Sequence, residues 1–164
     1  MNVSLSAKRG DVQSYPRRVF LDTNVYIVGA ALQDSPEAAL LDWAGFGSQP
    51  GADVVILVSD ALFQQISRVA QRLRHKDWAG EIIGRIWRGM TVDYVLLDDA
   101  EISRVAAEGT IPREDITVYL TALRGKADCF VSANHELVQA LARQTGAFDC
   151  MTAAGFVETY LQSR

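Results

Sequence analysis

Three short apolar runs in this chain are each followed at once by polar side chains whose oxygen atoms could bind a ligand. They are residues 19–21 before Asp22, Thr23 and Asn24, residues 54–58 before Ser59, and residues 129–131 before Ser132 and Asn134. A buried strand that ends on such groups places them at the edge of a sheet, where open α/β folds bind ligands. An isolated Asp more often caps a turn or a helix. The chemical interpretation of Asp22 therefore depends on the three polar clusters lying together.

The chemistry open to these groups is that of oxygen ligands. Carboxylate and amide oxygens suit Mg²⁺ or Mn²⁺, which polarise a phosphate and activate water for attack on a phosphodiester. Other common sites are disfavoured, since the chain has no Gly-x-Gly-x-x-Gly after its first strand and no Gly-Lys-Ser/Thr. It also lacks Gly-x-Ser-x-Gly, and neither His75 nor His135 lies near a candidate nucleophile.

The elements that must position these groups alternate between strand and helix. We predict strands over residues 18–21, 54–58, 92–97, 129–132 and 148–151. Helices are predicted over residues 36–46, from 60 onwards, and over 79–90, 98–107, 114–123, 135–144 and 153–161. This order predicts a three-layer α/β/α sandwich with a mainly parallel, roughly five-stranded sheet. Because right-handed crossovers bring the ends of successive strands to one edge, Asp22, Asn134 and the start of the helix after Ser59 should share a rim.

Length and composition fit one soluble domain. The chain has 164 residues, 49% apolar and 22% charged, which is enough for a full core. We expect a flexible N-terminal arm over residues 1–17 and a single domain over residues 18–164. No apolar run reaches the roughly 18 residues of a membrane span, and no signal-peptide core is present, so a cytoplasmic protein is expected. Cys129 and Cys150 are predicted to be buried, reduced thiols.

Charge is unevenly distributed along the chain. The net charge of −4 argues against nonspecific binding to nucleic acid by the molecule as a whole. Between Arg68 and Arg88, however, basic residues greatly outnumber acidic ones. A local basic surface is compatible with phosphate contacts, and a solvated helix face explains the same residues. The sequence leaves both interpretations open.

Several segments resemble the PIN-domain family (PilT N-terminus-like), the nuclease domains common among prokaryotic toxin ribonucleases. Val-Phe-Leu-Asp-Thr-Asn-Val at residues 19–25 is similar to its opening strand, and residues 58–66 to its second strand and the following helix. Residues 115–123 are similar to its helix with an acidic start. Residues 127–137 match the strand that ends in Thr-x-Asp in the family, and residues 148–161 the closing strand and helix. The resemblance covers about residues 18–161.

The resemblance implies a set of site residues. Asp22 and Asp115 match the family's metal-binding carboxylates, and Asn134 stands in the catalytic set where the family has Asp. Gln65 stands where the family's helix carries Glu, and Asn24, Gln65 and Ser132 are expected to support the site. Because amides bring no charge, Mg²⁺ or Mn²⁺ should bind weakly.

Neighbouring carboxylates could replace the missing charge. Glu136 follows Asn134 by two residues, and Asp60 opens the helix that carries Gln65. Asp128 is a poorer candidate because it lies at the opposite end of its strand, nearly 20 Å from Asn134 at about 3.3 Å per residue. We predict a turn role for Asp128.

The resemblance implies a metal-dependent ribonuclease with a weakened metal site. It also implies that the protein could be the toxin of a toxin–antitoxin pair. The alternative is a catalytically inactive PIN-like module that binds RNA or protein. The implied partners are RNA and an antitoxin-like protein, with a homodimer as a further option and no membrane contact.

Overall fold

The computed structural model of the chain describes residues 15–162 and is built on one parallel sheet. Its strands are β1 (Arg18–Leu21), β2 (Val55–Val58), β3 (Thr91–Tyr94), β4 (Cys129–Val131) and β5 (Asp149–Met151). They lie in the order β3-β2-β1-β4-β5, and all four pairings are parallel. The predicted α/β/α sandwich with a roughly five-stranded sheet is confirmed.

Helices join the strands and flank the sheet. They are α1 (Thr23–Ala31), α2 (Pro36–Trp43), α3 (Asp60–Leu73), α4 (Lys76–Gly89), α5 (Asp99–Glu108), α6 (Ile116–Arg124), α7 (His135–Gln144) and α8 (Ala153–Phe156). A 3₁₀ turn, Arg113–Asp115, precedes α6, and a π-helical segment, Val157–Leu161, follows α8.

Several boundaries differ from those that the sequence pattern predicts. Helix α4 begins three residues earlier than predicted because His75 Nδ1 accepts a hydrogen bond from the backbone N of Trp78 at 3.1 Å and caps the helix. Strand β3 ends at Tyr94 rather than at residue 97, and Leu96 beyond it is 82% exposed. The bounds of α7 agree with the prediction.

The central strands are buried on both faces. Val19, Phe20 and Leu21 of β1 are fully buried, as are Phe130 and Val131 of β4. The rings of Phe20 and Phe130 stack across the pair with centroids 5.1 Å apart. Such unalternating apolar strands are typical of a parallel sheet covered by helices. The polar chemistry of β1 and β4 is therefore confined to the strand ends.

The connection order creates a crevice at the carboxyl edge of the sheet. From β1 the chain continues to β2 and β3 on one side, and it later returns to form β4 and β5 on the other. The order reverses between β1 and β4, and ligands of open α/β sheets bind at such a switch point. Asp22 directly follows β1, and Ser132 directly follows β4.

At the amino edge, charged groups are paired. The carboxylate of Asp128, just before β4, accepts hydrogen bonds from the backbone N of Arg17 and of Arg18 at 3.2 and 3.0 Å. The guanidinium of Arg18 pairs with Asp93. Arg17 pairs with Asp53 at 2.8 Å.

Two glycines near this edge bring their backbones into close contact. Gly89 ends α4, just before β3, and a Cβ placed on it would lie 1.9 Å from the carbonyl oxygen of Gly45. Gly45 itself has φ +100°, a conformation that favours glycine. Larger residues are therefore excluded at both positions.

Residues 1–14 of the predicted N-terminal arm lie outside the described residues. The described chain begins at Tyr15, whose ring packs edge-on against Trp43 with centroids 5.3 Å apart. Between residues 15 and 162, no helix combines the length and the apolar character that a membrane crossing requires.

Both cysteines are free thiols. Cys129 is buried as predicted, whereas Cys150 is half-buried. Burial, the largest cause, raises the pKa of the Cys150 thiol to about 11. A thiol with a raised pKa is a poor metal ligand and nucleophile near neutral pH.

Candidate functional site

Asp22 lies between β1 and α1 and is 7% exposed. Its Oδ1 accepts a hydrogen bond from the backbone N of Thr23 at 2.8 Å, and its Oδ2 accepts one from Ser132 Oγ at 2.9 Å. The first bond caps α1, and the second joins the ends of β1 and β4. Asp22 therefore has both roles that the sequence leaves open, a helix cap and a carboxylate at the rim of the sheet.

The charge of Asp22 is poorly compensated. Burial, the largest cause, raises the pKa of its carboxyl, while the hydrogen bonds from Ser132 and Thr23 act in the opposite direction. The ion pairs found among residues 15–162 do not include Asp22. A buried carboxylate with a raised pKa and no cationic partner is a good candidate for a functional group.

Asp115 lies close enough to Asp22 for the two charges to interact. It ends the 3₁₀ turn before α6 and is half-buried. Its pKa is raised first by burial and then by the charges of Glu114 and Asp22. Like Asp22, it takes part in none of the ion pairs of the described chain. A bound cation would relieve the repulsion between the two carboxylates.

Both carboxylates line a cavity of about 420 Å³ between α1, α3 and the turn before α6. Four of the residues that the sequence predicts for the site meet there, namely Asp22, Asn24, Gln65 and Asp115. The floor on the α1 side is apolar and includes Ile27. We call this space the rim cavity.

Gln65 joins the rim cavity through a contact with α1. Its Oε1 accepts a hydrogen bond from Thr23 Oγ1 at 2.9 Å. Because Thr23 is the residue after Asp22, this bond holds the Gln65 amide near the Asp22 carboxylate. The resemblance places these two residues in the same site. The amide supplies no charge at this position.

Ser132, Asn24 and Asn134 form a polar network behind Asp22. Ser132 Oγ accepts hydrogen bonds from Asn24 Nδ2 at 3.2 Å and from the backbone N of Asn134 at 3.0 Å. Asn24 Oδ1 accepts one from the backbone N of Ala133 at 2.9 Å. These bonds fix the orientation of Asp22.

The side chain of Asn134 caps a helix and does not line the rim cavity. Its Oδ1 accepts a hydrogen bond from the backbone N of Leu137 at 3.2 Å and caps α7. Neither Asn134 nor Ser132 lines the cavity. The structure thus gathers Asp22, Asp115 and Gln65 and leaves the Asn134 amide outside.

The alternative carboxylates do not reach the cavity. Asp60 does not line the cavity, and its carboxylate acts on Tyr94, where it raises the pKa of the hydroxyl. Glu136 is exposed and does not line the cavity. Glu114 does line it, although sequence reasoning missed this residue. The available signal was its position beside Asp115 at a helix start.

Two arginines, Arg68 and Arg72, also line the rim cavity. They belong to the basic stretch between residues 68 and 88. The composition of that stretch does not distinguish them from its other basic residues as members of the site. Their spacing from Gln65 by three and seven residues is the signal that was available, because residues so spaced share one helix face.

The donor set suits a divalent ion only weakly. Within residues 15–162, no group of three or more His, Cys, Asp or Glu side chains is arranged to hold a metal ion. The pair Asp22 and Asp115 supplies the oxygen ligands that Mg²⁺ and Mn²⁺ prefer. Two carboxylates with raised pKa values fit one weakly held ion better than a pair of ions.

The parallel sheet in the order β3-β2-β1-β4-β5, with a polar crevice at its switch point, has the α/β/α architecture predicted for a PIN-like domain. A solved structure with a similar fold is that of VapBC2 from Rickettsia felis bound to a DNA fragment from their promoter. The TM-score is 0.54 at 10% sequence identity, and the alignment covers 82% of this chain and 98% of that chain. At this identity the likeness shows the fold alone. No family model and no curated protein matches the sequence.

Proposed function

We propose that the chain is a PIN-like, metal-dependent ribonuclease domain with a weakened metal site. The observation that carries the proposal is the placement of Asp22 and Asp115, both with raised pKa values and without ion pairs in the described chain, in one cavity at the switch point. The fold likeness to VapBC2 supports the class of domain.

In the proposed mechanism, Asp22 and Asp115 are the residues that would hold Mg²⁺ or Mn²⁺. A bound ion of this kind polarises a phosphate and lowers the pKa of water. The protein orients Asp22 through Ser132 and the backbone N of Thr23. Gln65 supports the same corner through Thr23. Asn134 contributes through its backbone N, which holds Ser132, and its side chain would have to leave the α7 cap to reach an ion.

We further propose that the domain acts in the cytoplasm as the toxin of a toxin–antitoxin pair, with RNA as substrate. The resemblance to toxin ribonucleases and the fold likeness to VapBC2, a complex solved on a fragment of promoter DNA, support an antitoxin-like protein partner. Comigration of the chain with the product of an adjacent small gene would test the partner. The mass of the chain alone in solution would test a homodimer.

The second candidate is an inactive PIN-like module that binds RNA or protein. The absence of a group of three metal-ligating side chains within residues 15–162 favours it. The two candidates differ in whether Mn²⁺ binds at Asp22 and Asp115.

Calorimetry with Mn²⁺ separates them. We expect weak binding by the wild type, loss of binding in Asp22→Ala and in Asp115→Asn, and no change in Glu81→Gln. Glu81 is an exposed carboxylate on α4 that does not line the rim cavity, so it controls for the loss of one negative charge. An absence of wild-type binding, or equal binding by all four proteins, would contradict the metal site.

Restoring charge sharpens the same test. Gln65→Glu adds a carboxylate inside the rim cavity and should strengthen Mn²⁺ binding by at least about tenfold and raise RNA cleavage. Asn134→Asp should give a smaller gain, because the side chain of residue 134 caps α7. If neither variant gains Mn²⁺ affinity or activity, the site has been assigned to the wrong residues.

A further inference from the structure

One wall of the rim cavity is basic. Arg68 and Arg72 follow Gln65 by three and seven residues on α3, and all three line the cavity. The adjoining face of the helix buries Leu62 and Ile66 in the core, so packing fixes which side of α3 lines the cavity.

These arginines have no ion-pair partner in the described chain. The ion pairs found within residues 15–162 involve other arginines, although Asp22, Glu114 and Asp115 line the same cavity. Like charges at positions i and i+4 destabilise a helix. The helix dipole favours Arg72 in the last turn, but it does not account for Arg68. Both arginines are exposed, so a ligand with negative charge can reach their guanidinium groups.

The distribution of charge within the cavity specifies the ligand. Carboxylates from the start of α1 and from the turn before α6 line the same cavity of about 420 Å³ as guanidinium groups from α3. Guanidinium groups bind phosphate oxygens by paired, charge-assisted hydrogen bonds. An anion on the basic side and a cation on the acidic side satisfy both walls at once.

We propose that Arg68 and Arg72 bind backbone phosphates of single-stranded RNA and position the chain against Asp22 and Asp115. The proposal rests on the proposed function in taking RNA as the ligand. Arg68 and Arg72 are positioning residues in this account. Because the net charge of the protein is −4, long-range attraction contributes little and local contacts determine RNA affinity.

The test measures RNA binding separately from cleavage. A fluorescently labelled, single-stranded oligoribonucleotide is titrated in EDTA, followed by anisotropy, at several salt concentrations. We expect Arg68→Ala and Arg72→Ala each to weaken binding about tenfold. Each should also reduce the slope of log K against log salt by about 0.7. The control is Arg143→Ala, which removes an exposed arginine from α7 that does not line the cavity and should change neither quantity.

Charge-conserving variants separate phosphate contact from a structural effect. Arg68→Lys should keep the salt slope and lose part of the affinity, because ammonium cannot form the paired hydrogen bonds. A wild type that does not bind the oligonucleotide, or alanine variants that bind as tightly as Arg143→Ala, would overturn the proposal.

Failure of the phosphate-contact proposal can be distinguished from failure of the nuclease proposal. Arginine-dependent binding with no cleavage in Mn²⁺ supports the phosphate contacts and contradicts the nuclease. Mn²⁺-dependent cleavage with KM unchanged in Arg68→Ala and Arg72→Ala supports the nuclease and contradicts the phosphate contacts.

Discussion

At the amino edge of the sheet, Asp128 accepts hydrogen bonds from two backbone N–H groups, and Asp53 pairs with Arg17. At the carboxyl edge, Asp22 and Asp115 form none of the ion pairs found among residues 15–162, and the pKa values of both are raised. One sheet thus carries compensated carboxylates at one edge and uncompensated carboxylates at the other.

This difference separates charges that stabilise the fold from charges that, under the proposed function, bind a ligand. Stable proteins retain uncompensated buried charge chiefly where function requires it. The amino edge can be optimised for packing and hydrogen bonding, whereas the carboxyl edge keeps a destabilising arrangement that a cation and an anion would relieve. Neutralising a carboxylate should therefore raise the free energy of unfolding at the carboxyl edge and give no gain at the amino edge.

The largest expected effect is at the amino edge. Gly89→Ala should lower the free energy of unfolding by about 3 kcal/mol, because its Cβ would lie 1.9 Å from the backbone oxygen of Gly45. The control is Gly80→Ala on the same helix, where a Cβ meets nothing within 4 Å. This control should raise stability by roughly 0.5–1 kcal/mol. Urea unfolding of the two variants measures the contrast, and equal changes would show that the glycine contact is not tight.

Ser132→Ala should lower the free energy of unfolding by about 2 kcal/mol. It removes the donor to Asp22 Oδ2 and the acceptor for Asn24 Nδ2 and for the backbone N of Asn134 in a fully buried position. Ser35→Ala, which removes only the cap of α2, should cost about 1 kcal/mol. Chemical denaturation compares the two. A smaller loss for Ser132→Ala than for Ser35→Ala would mean that the network behind Asp22 is loose.

Asp22→Asn should increase stability near pH 7 by about 1 kcal/mol. The raised pKa of Asp22 means that the folded state binds its proton more tightly than the unfolded state does. The wild type therefore loses stability as the pH rises from the ordinary Asp range, near 3.9, through the raised folded value. Below that range both states are protonated and the gain of the variant disappears.

Unfolding curves between about pH 3 and 8 follow this difference. The matched change at the other edge, Asp128→Asn, should give no gain at pH 7, since its carboxylate accepts two backbone hydrogen bonds. A gain in both variants, or one for Asp22→Asn that persists at low pH, would remove the electrostatic distinction between the edges.

The smallest expected change in the free energy of unfolding comes from breaking an exposed ion pair. Asp53→Ala breaks the ion pair with Arg17, in which the two side chains are 92% and 59% exposed. Solvent screens such a pair, so the loss should be at most about 0.5 kcal/mol. Thermal unfolding at low and high salt checks this. A loss above about 1 kcal/mol would show that the amino edge depends on ion pairs more than on hydrogen bonds and packing.

The fold and part of the site were predictable from the sequence. The runs at residues 19–21 and 129–131 are apolar without alternation because both faces of the sheet are covered, and this pattern indicated buried parallel strands. Asp22 was placed at the rim because it directly follows such a run. The position of α7 followed from its polar start and apolar spacing.

The remaining features depend on side-chain choices that a pattern does not determine. Asn134 could cap α7 or face the site, and both suit an amide at a strand end. The inclusion of Glu114 depends on how the 3₁₀ turn tilts against α1. Arg68 and Arg72 reach the cavity because α3 packs with Leu62 and Ile66 inward, which fixes its rotation only after folding.

The hydrogen bond between Ser132 and Asp22 joins residues 110 positions apart in the chain. The site is thus a product of late, long-range assembly, and contacts of this kind form slowly during folding. A polypeptide that has emerged from the ribosome only as far as β3 contains Asp22 and Gln65 but neither Asp115 nor β4. A chain that ends before β4 therefore has no complete candidate site, because the groups that orient Asp22 have not yet been synthesised.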